Sequence, residues 1–266
     1  MHRATWFNYL SIGLGLFFIY LPIFVLVFYS FNANRLVSVW GGFSTQWYSA
    51  VFNNHSLLTG AKISFIVAAC SATGATFLGT LSAIVLNRFK RFRGRSVFNA
   101  MLLSPMIMPE VVLGISMLLM FVALGIDRGP ITIIIAHITF TMCFAFVVIQ
   151  SRLSELDPSL EEAARDLGCT PFSAFVKVAL PNLATALISA WLLSFTLSLD
   201  DLVIASFTTG PGASTLPMNI YSQIKFGLTP EINAISTIIL GVVASGLIIA
   251  RLLTRNSKSA AAAATI

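Results

Sequence analysis

Hydrophobic and polar positions alternate along this chain on the scale of whole segments. Six stretches each hold about 20 predominantly apolar residues, the length that carries a helix across the hydrocarbon core of a bilayer. They are Leu10–Ser30, Ile63–Leu86, Val97–Ala123, Ile131–Gln150, Ala184–Phe207 and Ile232–Leu253. The pattern predicts an all-α integral membrane protein with six transmembrane helices, and an even number places both termini on one side. One long polar stretch stands among them, Ser151 to Leu183. In it Asp157-Pro158 reads as an N-cap followed by proline at the first helical position, and Leu160, Ala163, Ala164 and Leu167 then recur at helical spacing. Gly168 is the residue type that closes such a helix in a left-handed conformation, and Thr170-Pro171 repeats the start signal for a second helix that stops before Pro181. Two short helices are therefore expected to meet at a glycine hinge.

Composition strengthens the membrane reading. The chain is 57% hydrophobic and only 10% charged, whereas soluble domains carry about a quarter of charged residues. Its net charge of +6 does not point to nucleic acid, because the basic residues fall between apolar runs too long for a soluble basic domain. Positive-inside topology accounts for them. With a cytoplasmic N-terminus, Arg3, Arg88, Lys90, Arg91, Arg93, Arg95, Arg152, Arg165, Lys177, Arg251, Arg255 and Lys258 lie inside, leaving Arg35, Lys62, Arg128 and Lys225 outside. This twelve-to-four split puts both termini and the polar loop in the cytoplasm. The Arg88–Arg95 cluster then suits anionic headgroups.

The uncharged run Ala4–Asn34 is much longer than the hydrophobic core of a signal peptide, about 7–15 residues, so it is retained as the first span. Residues 1–259 read as a single transmembrane domain, and 260–266 as a low-complexity tail. Cys70, Cys143 and Cys169 lack CxxC spacing or a histidine at metal-ligand spacing, so no metal site is expected and the cysteines read as packing residues. Trp47 and Tyr48 suit the interfacial belt on the outer face. The stretch from Leu216 to Gly227 is expected to form a short outer helix with Tyr221 and Lys225 on one face.

Acidic groups inside a bilayer are costly unless they pair or face water, which makes them functional candidates. Glu110 follows Pro105 and Pro109, two residues that kink a helix, near the middle of the third span. Asp200 and Asp201 lie late in the fifth, toward the outer side. Structural roles stand beside the functional ones: an aspartate can cap a broken helix or pair with Lys225, and Glu110 can satisfy backbone donors freed at the kink. Of two adjacent residues at most one points straight into a pathway. Asp200 is favoured as pathway-lining, then Glu110, with Asp201 as the structural member. Tyr221 can stack on a cation or sit as an ordinary interfacial tyrosine. Lys225 would repel a cation and suits a gate latch or counter-ion. His137 reads as a hydrogen-bonded packing residue.

The polar loop contains Glu162-Ala163-Ala164, Gly168 after three intervening residues, and Val178-x-Leu180-Pro181 after nine more. This spacing resembles the cytoplasmic-loop signature of permease subunits of binding-protein-dependent ABC importers. The resemblance implies a type I ABC importer permease fold of the inner membrane, in which this loop forms a coupling helix docked on an ATPase, with Glu162, Ala163, Ala164 and Gly168 as its docking core. The run Ser198–Phe207, with Thr215-Leu216-Pro217 after it, is similar to the polyamine branch of that family. A linear di- or polycation, putrescine and/or spermidine, is the implied cargo, and it suits intramembrane carboxylates.

The resemblance further implies a second permease subunit, two ATPase subunits and an extracytoplasmic polyamine-binding protein as partners, besides the bilayer. No GxxxxGK[ST] run occurs, so ATP and Mg are expected on the partner ATPase, and this chain is expected to carry no cofactor and no catalytic residue. Two alternatives stay open: a permease for another solute, such as an anion or a metal ion, and an intramembrane enzyme using Glu110, His137 and Asp200.

Overall fold

The computed structural model describes residues 6–35, 39–226 and 230–263. Among these, regular structure is helical, with one isolated bridge between Asn32 and Phe43. In chain order the helices are α1 (Trp6–Tyr29), α2 (Gln46–Asn53), α3 (His55–Arg88), α4 (Arg95–Ile107), α5 (Glu110–Ala123), α6 (Pro130–Glu155), α7 (Ser159–Asp166), α8 (Pro171–Ala174), α9 (Leu180–Leu199), α10 (Val203–Thr208), α11 (Leu216–Phe226) and α12 (Pro230–Ala263), with a π-helical turn, Phe175–Ala179, joining α8 to α9. The backbone divides into two compact units. One comprises the described residues of Met1–Thr59 and Asn219–Ile249, the other those of Gly60–Met218 and Ala250–Ile266.

Among the described residues, four helices are long and apolar enough to cross a membrane: Trp6–Tyr29, His55–Arg88, Pro130–Glu155 and the continuous stretch Pro171–Leu199. The third expected span departs from its reading. It is not one kinked helix but two, α4 and α5, bent by 112° about Met108 and Pro109. Pro105 sits inside α4 without breaking it. The break comes where Pro109 forces Met108 into an extended conformation (ψ 139°) and is itself extended (ψ 133°), since two successive extended residues turn the chain away from the helix axis.

The fifth span is also corrected. The helix beginning at Pro171 does not stop before Pro181, because the π turn shifts the hydrogen-bond register and leaves Pro181 in the first turn of α9, where its missing N–H costs nothing. The same helix ends at Leu199, so Asp200 and Asp201 lie just beyond it and not within it. The sixth expected span falls in α12, whose apolar stretch among the described residues is Pro230–Gly246. Arg3, Gly227 and the last three residues, 264–266, lie outside the described residues.

In the larger unit α6 is central, packing against α9, α4, α10 and α5. The core cluster of Ala83, Leu86, Leu102, Phe146, Ile149 and Leu183 fills the space between four helices. Many of the buried side chains on α3 are small, among them Ala68, Ser71, Ala72, Ala75 and Ala83. In a bilayer, where apolar burial does not drive helices together, small residues permit the close backbone approach that does. At Gly79 α3 meets the backbone of α6: a Cβ there would stand 2.9 Å from the Phe146 backbone nitrogen.

In the smaller unit the residues after α1 are tied to α2. The Trp47 indole donates to the Asn32 carbonyl (2.6 Å), the Tyr48 and Ser30 hydroxyls share a 2.7 Å hydrogen bond, and Phe31 stacks on Phe43. Trp47 and Tyr48 thus anchor a turn as well as presenting aromatic surface. Asn54 donates to Glu231 at 3.0 Å, joining α12 to this group.

Candidate functional site

The polar loop folds as its residue types dictate. Asp157 accepts a hydrogen bond from the Ser159 N–H at 2.9 Å, which, with the Ser159 hydroxyl, holds its carboxyl below the usual carboxylate range. Helix α7 then runs to Asp166. The Gly168 N–H bonds to the Arg165 carbonyl and the Cys169 N–H to the Ala164 carbonyl, while Gly168 adopts φ +90°. These two bonds and the left-handed residue form a Schellman close, which satisfies carbonyls that a helix end otherwise leaves unpaired. Thr170 accepts from the Ser173 N–H to start α8. The expected glycine hinge between two short helices is present.

Its surface is unusual for a polar loop. Glu162 and Ala163 are exposed, and so are Leu160, Leu167 (88%) and Phe172 (78%). Large apolar side chains on a segment this polar make it a candidate for a protein contact. Leu167 was legible as part of the helical apolar spacing, but Phe172 carried no periodic signal. Beside the loop an open cleft of about 560 Å³ is lined by Arg88, Lys90, Asp157, Glu161, Glu162 and Arg165. Arg88 does not stand free for headgroups as expected. Its guanidinium is bonded to Glu161, and Arg95 of the same cluster donates to the Leu86 carbonyl.

A second place forms where the two broken spans meet. Helix α10 packs against α5 and α6, and Leu113, Ala136, Phe140 and Ile204 form the contact. Glu110 is the first residue of α5 and Asp200 caps the C-terminus of α9. Both are exposed, neither makes an ion pair among the described residues, and Glu110 lies within electrostatic reach of Asp200 and Asp201. Asp201 is different: it is buried, and its carboxylate accepts the Ala205 N–H at 2.8 Å, capping α10. The same oxygen stands 3.3 Å from His137 Nε2, an ion-pair distance without hydrogen-bond alignment. His137 Nδ1 shares a 2.7 Å hydrogen bond with Ser198. A buried polar residue in a membrane span needs such partners, yet nothing in the apolar run around His137 marks Ser198 and Asp201 as the ones it finds.

Glu110 was expected near the middle of a continuous span. It instead opens a helix, because the 112° bend precedes it. Tyr221 and Lys225 belong to the smaller unit, where the Lys225 ammonium stands 4.7 Å from the Tyr221 ring centroid and both side chains are exposed. Three or more His, Cys, Asp or Glu side chains do not converge on a metal site among the described residues.

Over residues 75–260 the chain matches the family described as binding-protein-dependent transport system inner membrane component. It is 51% identical over 247 residues to the putrescine transport system permease protein PotI of Escherichia coli K12, covering 91% of this chain and 88% of that one. It is 43% identical over 239 residues to the spermidine/putrescine transport system permease protein PotC of the same organism, covering 90% of each. Among solved structures, its fold is similar to a chain of a bacterial ABC transporter that imports the acidic polysaccharide alginate, with TM-score 0.71, 16% identity, and coverage of 94% of this chain and 96% of that one. It is also similar to a chain of an amino acid ABC transporter, with TM-score 0.61, 16% identity, and coverage of 79% and 98%.

Proposed function

This chain belongs to the family of binding-protein-dependent inner-membrane transport components, and we propose that it is the polyamine-translocating permease subunit of an ATP-driven importer, moving putrescine and/or spermidine. The observation that carries the cargo is the pairing of Glu110 and Asp200, two exposed carboxylates at the broken ends of neighbouring spans. An acid near the membrane interior that faces an aqueous path costs little, and two of them suit the spaced ammonium groups of a linear dication. Asp201, tied to Ala205 and His137, holds the break in shape. Tyr221 and Lys225 supply a gate.

Six spans with cytoplasmic termini complete the proposed type I fold, the sixth being α12, and residues 1–259 form one permease domain. That topology places α7 in the cytoplasm. There Glu162, Ala163, Ala164 and Gly168, with Leu167 and Phe172 beside them, form the surface on which an ATPase docks. ATP and Mg are held by two copies of that ATPase. A second, similar permease completes the pathway, and a soluble polyamine-binding protein delivers cargo from outside. The chain itself performs no bond chemistry.

Uptake of radiolabelled putrescine and spermidine by a strain lacking this chain tests the reading. Complementation with the chain is expected to restore polyamine uptake and leave sulfate and iron uptake unchanged. Restoration of sulfate or iron uptake, with polyamine uptake unaffected, would assign the permease to an anion or a metal ion instead.

A further inference from the structure

One guanidinium joins the polar loop to two spans. Arg88 is the last residue of α3, and its Nη2 donates to Glu161 Oε2 at 2.5 Å. Its Cζ stands 5.3 Å from the centroid of the Phe175 ring, within cation–π range. Glu161 lies in the first turn of α7, and Phe175 opens the π turn that leads into α9. Phe175 also packs against the core cluster that contains Leu86, Leu102, Leu153 and Leu183. Three elements with different partners therefore converge on a single side chain.

Stability does not explain the arrangement. The Arg88 and Glu161 side chains are 36% and 28% exposed, and an ion pair so open to water contributes little to folding. Neighbouring residues on α7 divide their tasks by direction, since successive positions are turned by about 100°. Glu161 faces Arg88, while Glu162 faces solvent. The π turn beside them is a type of irregularity found frequently at functional sites. From it α9 runs without a break to Leu199, and Asp200 follows.

We propose that Arg88 is the positioning residue that transmits displacement of α7 to α3 and α9, coupling ATP hydrolysis on the partner to movement of the span that ends at Asp200. The proposal rests on the reading of α7 as the ATPase-docking helix. Arg88 touches neither cargo nor nucleotide. It keeps α7 from sliding independently of the spans, so that a push on the loop arrives at the pathway.

The test uses the complete transporter in proteoliposomes, with ATP hydrolysis, putrescine uptake and ATPase co-purification measured together. Arg88→Gln and Glu161→Gln are expected to retain the ATPase and to lower uptake per ATP hydrolysed by at least about fivefold, the lower end of measured couplings between sites. Arg88→Lys, which keeps a cation for both the carboxylate and the ring, is expected to retain most of the wild-type ratio. Wild-type ratios in both single variants would overturn the proposal, as would a loss in Arg88→Lys as deep as that in Arg88→Gln. If either single variant releases the ATPase, the residue is a docking contact and the positioning role falls. If the wild-type chain does not retain an ATPase at all, the docking reading falls first and the proposal with it.

Discussion

Gly168 offers the sharpest test of the loop. Its φ of +90° lies in the region that L-residues rarely adopt, while an added Cβ would find nothing within 4 Å. Substitution by alanine therefore costs backbone conformational energy and no steric clash, which for an L-residue held left-handed is about 1–2 kcal/mol. If the Schellman close is needed for docking, that cost lowers the population of the competent loop by a factor of up to about 5–30, and the apparent affinity for the ATPase falls by the same factor. Binding of purified ATPase to the permease in nanodiscs, by titration, measures this directly. Gly168→Asn is the control, because asparagine tolerates the left-handed region better than alanine does. The expected order of affinity is glycine, then asparagine, then alanine, with membrane insertion unchanged throughout. Wild-type affinity for Gly168→Ala would refute the need for the left-handed close. Asparagine as weak as alanine would refute the conformational origin of the loss.

Asp200→Asn is expected to lower uptake per folded molecule, with receptor binding of cargo unchanged. Asp201→Asn is expected to lower the yield and thermal stability of the folded chain, since it weakens the buried acceptor of the Ala205 N–H, a loss of about 1–3 kcal/mol. Equal, wild-type uptake in both would remove this region from the pathway. Gly79→Val is expected to destabilise the α3–α6 contact by about 1–3 kcal/mol, because its Cβ would meet backbone and not a yielding side chain; a scanning thermal melt in detergent with no shift would contradict that packing. The Asp157 cap has a depressed carboxyl, so its contribution is fully present above the ordinary aspartate value of about 3.9 and is lost only as pH falls through the lower folded value. Amide protection in α7, the exchange rate relative to the intrinsic rate at each pH, should accordingly be unchanged from neutral pH down to the ordinary value and fall below it. A loss of protection already at pH 6 would mean that another group governs the loop.

Legibility differed between the two places for physical reasons. The loop is built from local rules: Asp157, Gly168 and Thr170 act on atoms within five residues of themselves, and local rules are written in sequence order. The acid site is built from breaks and contacts. Proline identity predicted a distortion near Glu110, but the choice of Met108–Pro109 over Pro105, and a bend of 112° in place of a kink, depended on how α4 and α5 pack. The helix through Pro181 was misjudged because a π turn, which has no clear sequence signal, absorbed the proline.

By itself, the sequence determined that the chain is helical and membrane-bound, that a glycine-closed pair of short helices interrupts the spans, and that three acids stand within apolar runs. Each follows from the chemistry of single residues and their near neighbours. Tertiary structure alone decided which acid is free. Asp200 and Asp201 are chemically identical, yet His137, 64 positions before Asp201 in the chain, stands against one of them across the α6–α9 packing. Tertiary structure also decided that Arg88 meets Glu161 and Phe175, contacts across 73 and 87 positions that no periodicity encodes. Distance along the chain is what separates the two kinds of knowledge: hydrogen-bond registers extend over a turn, while pairing of remote charges is settled only when the helices that carry them have packed.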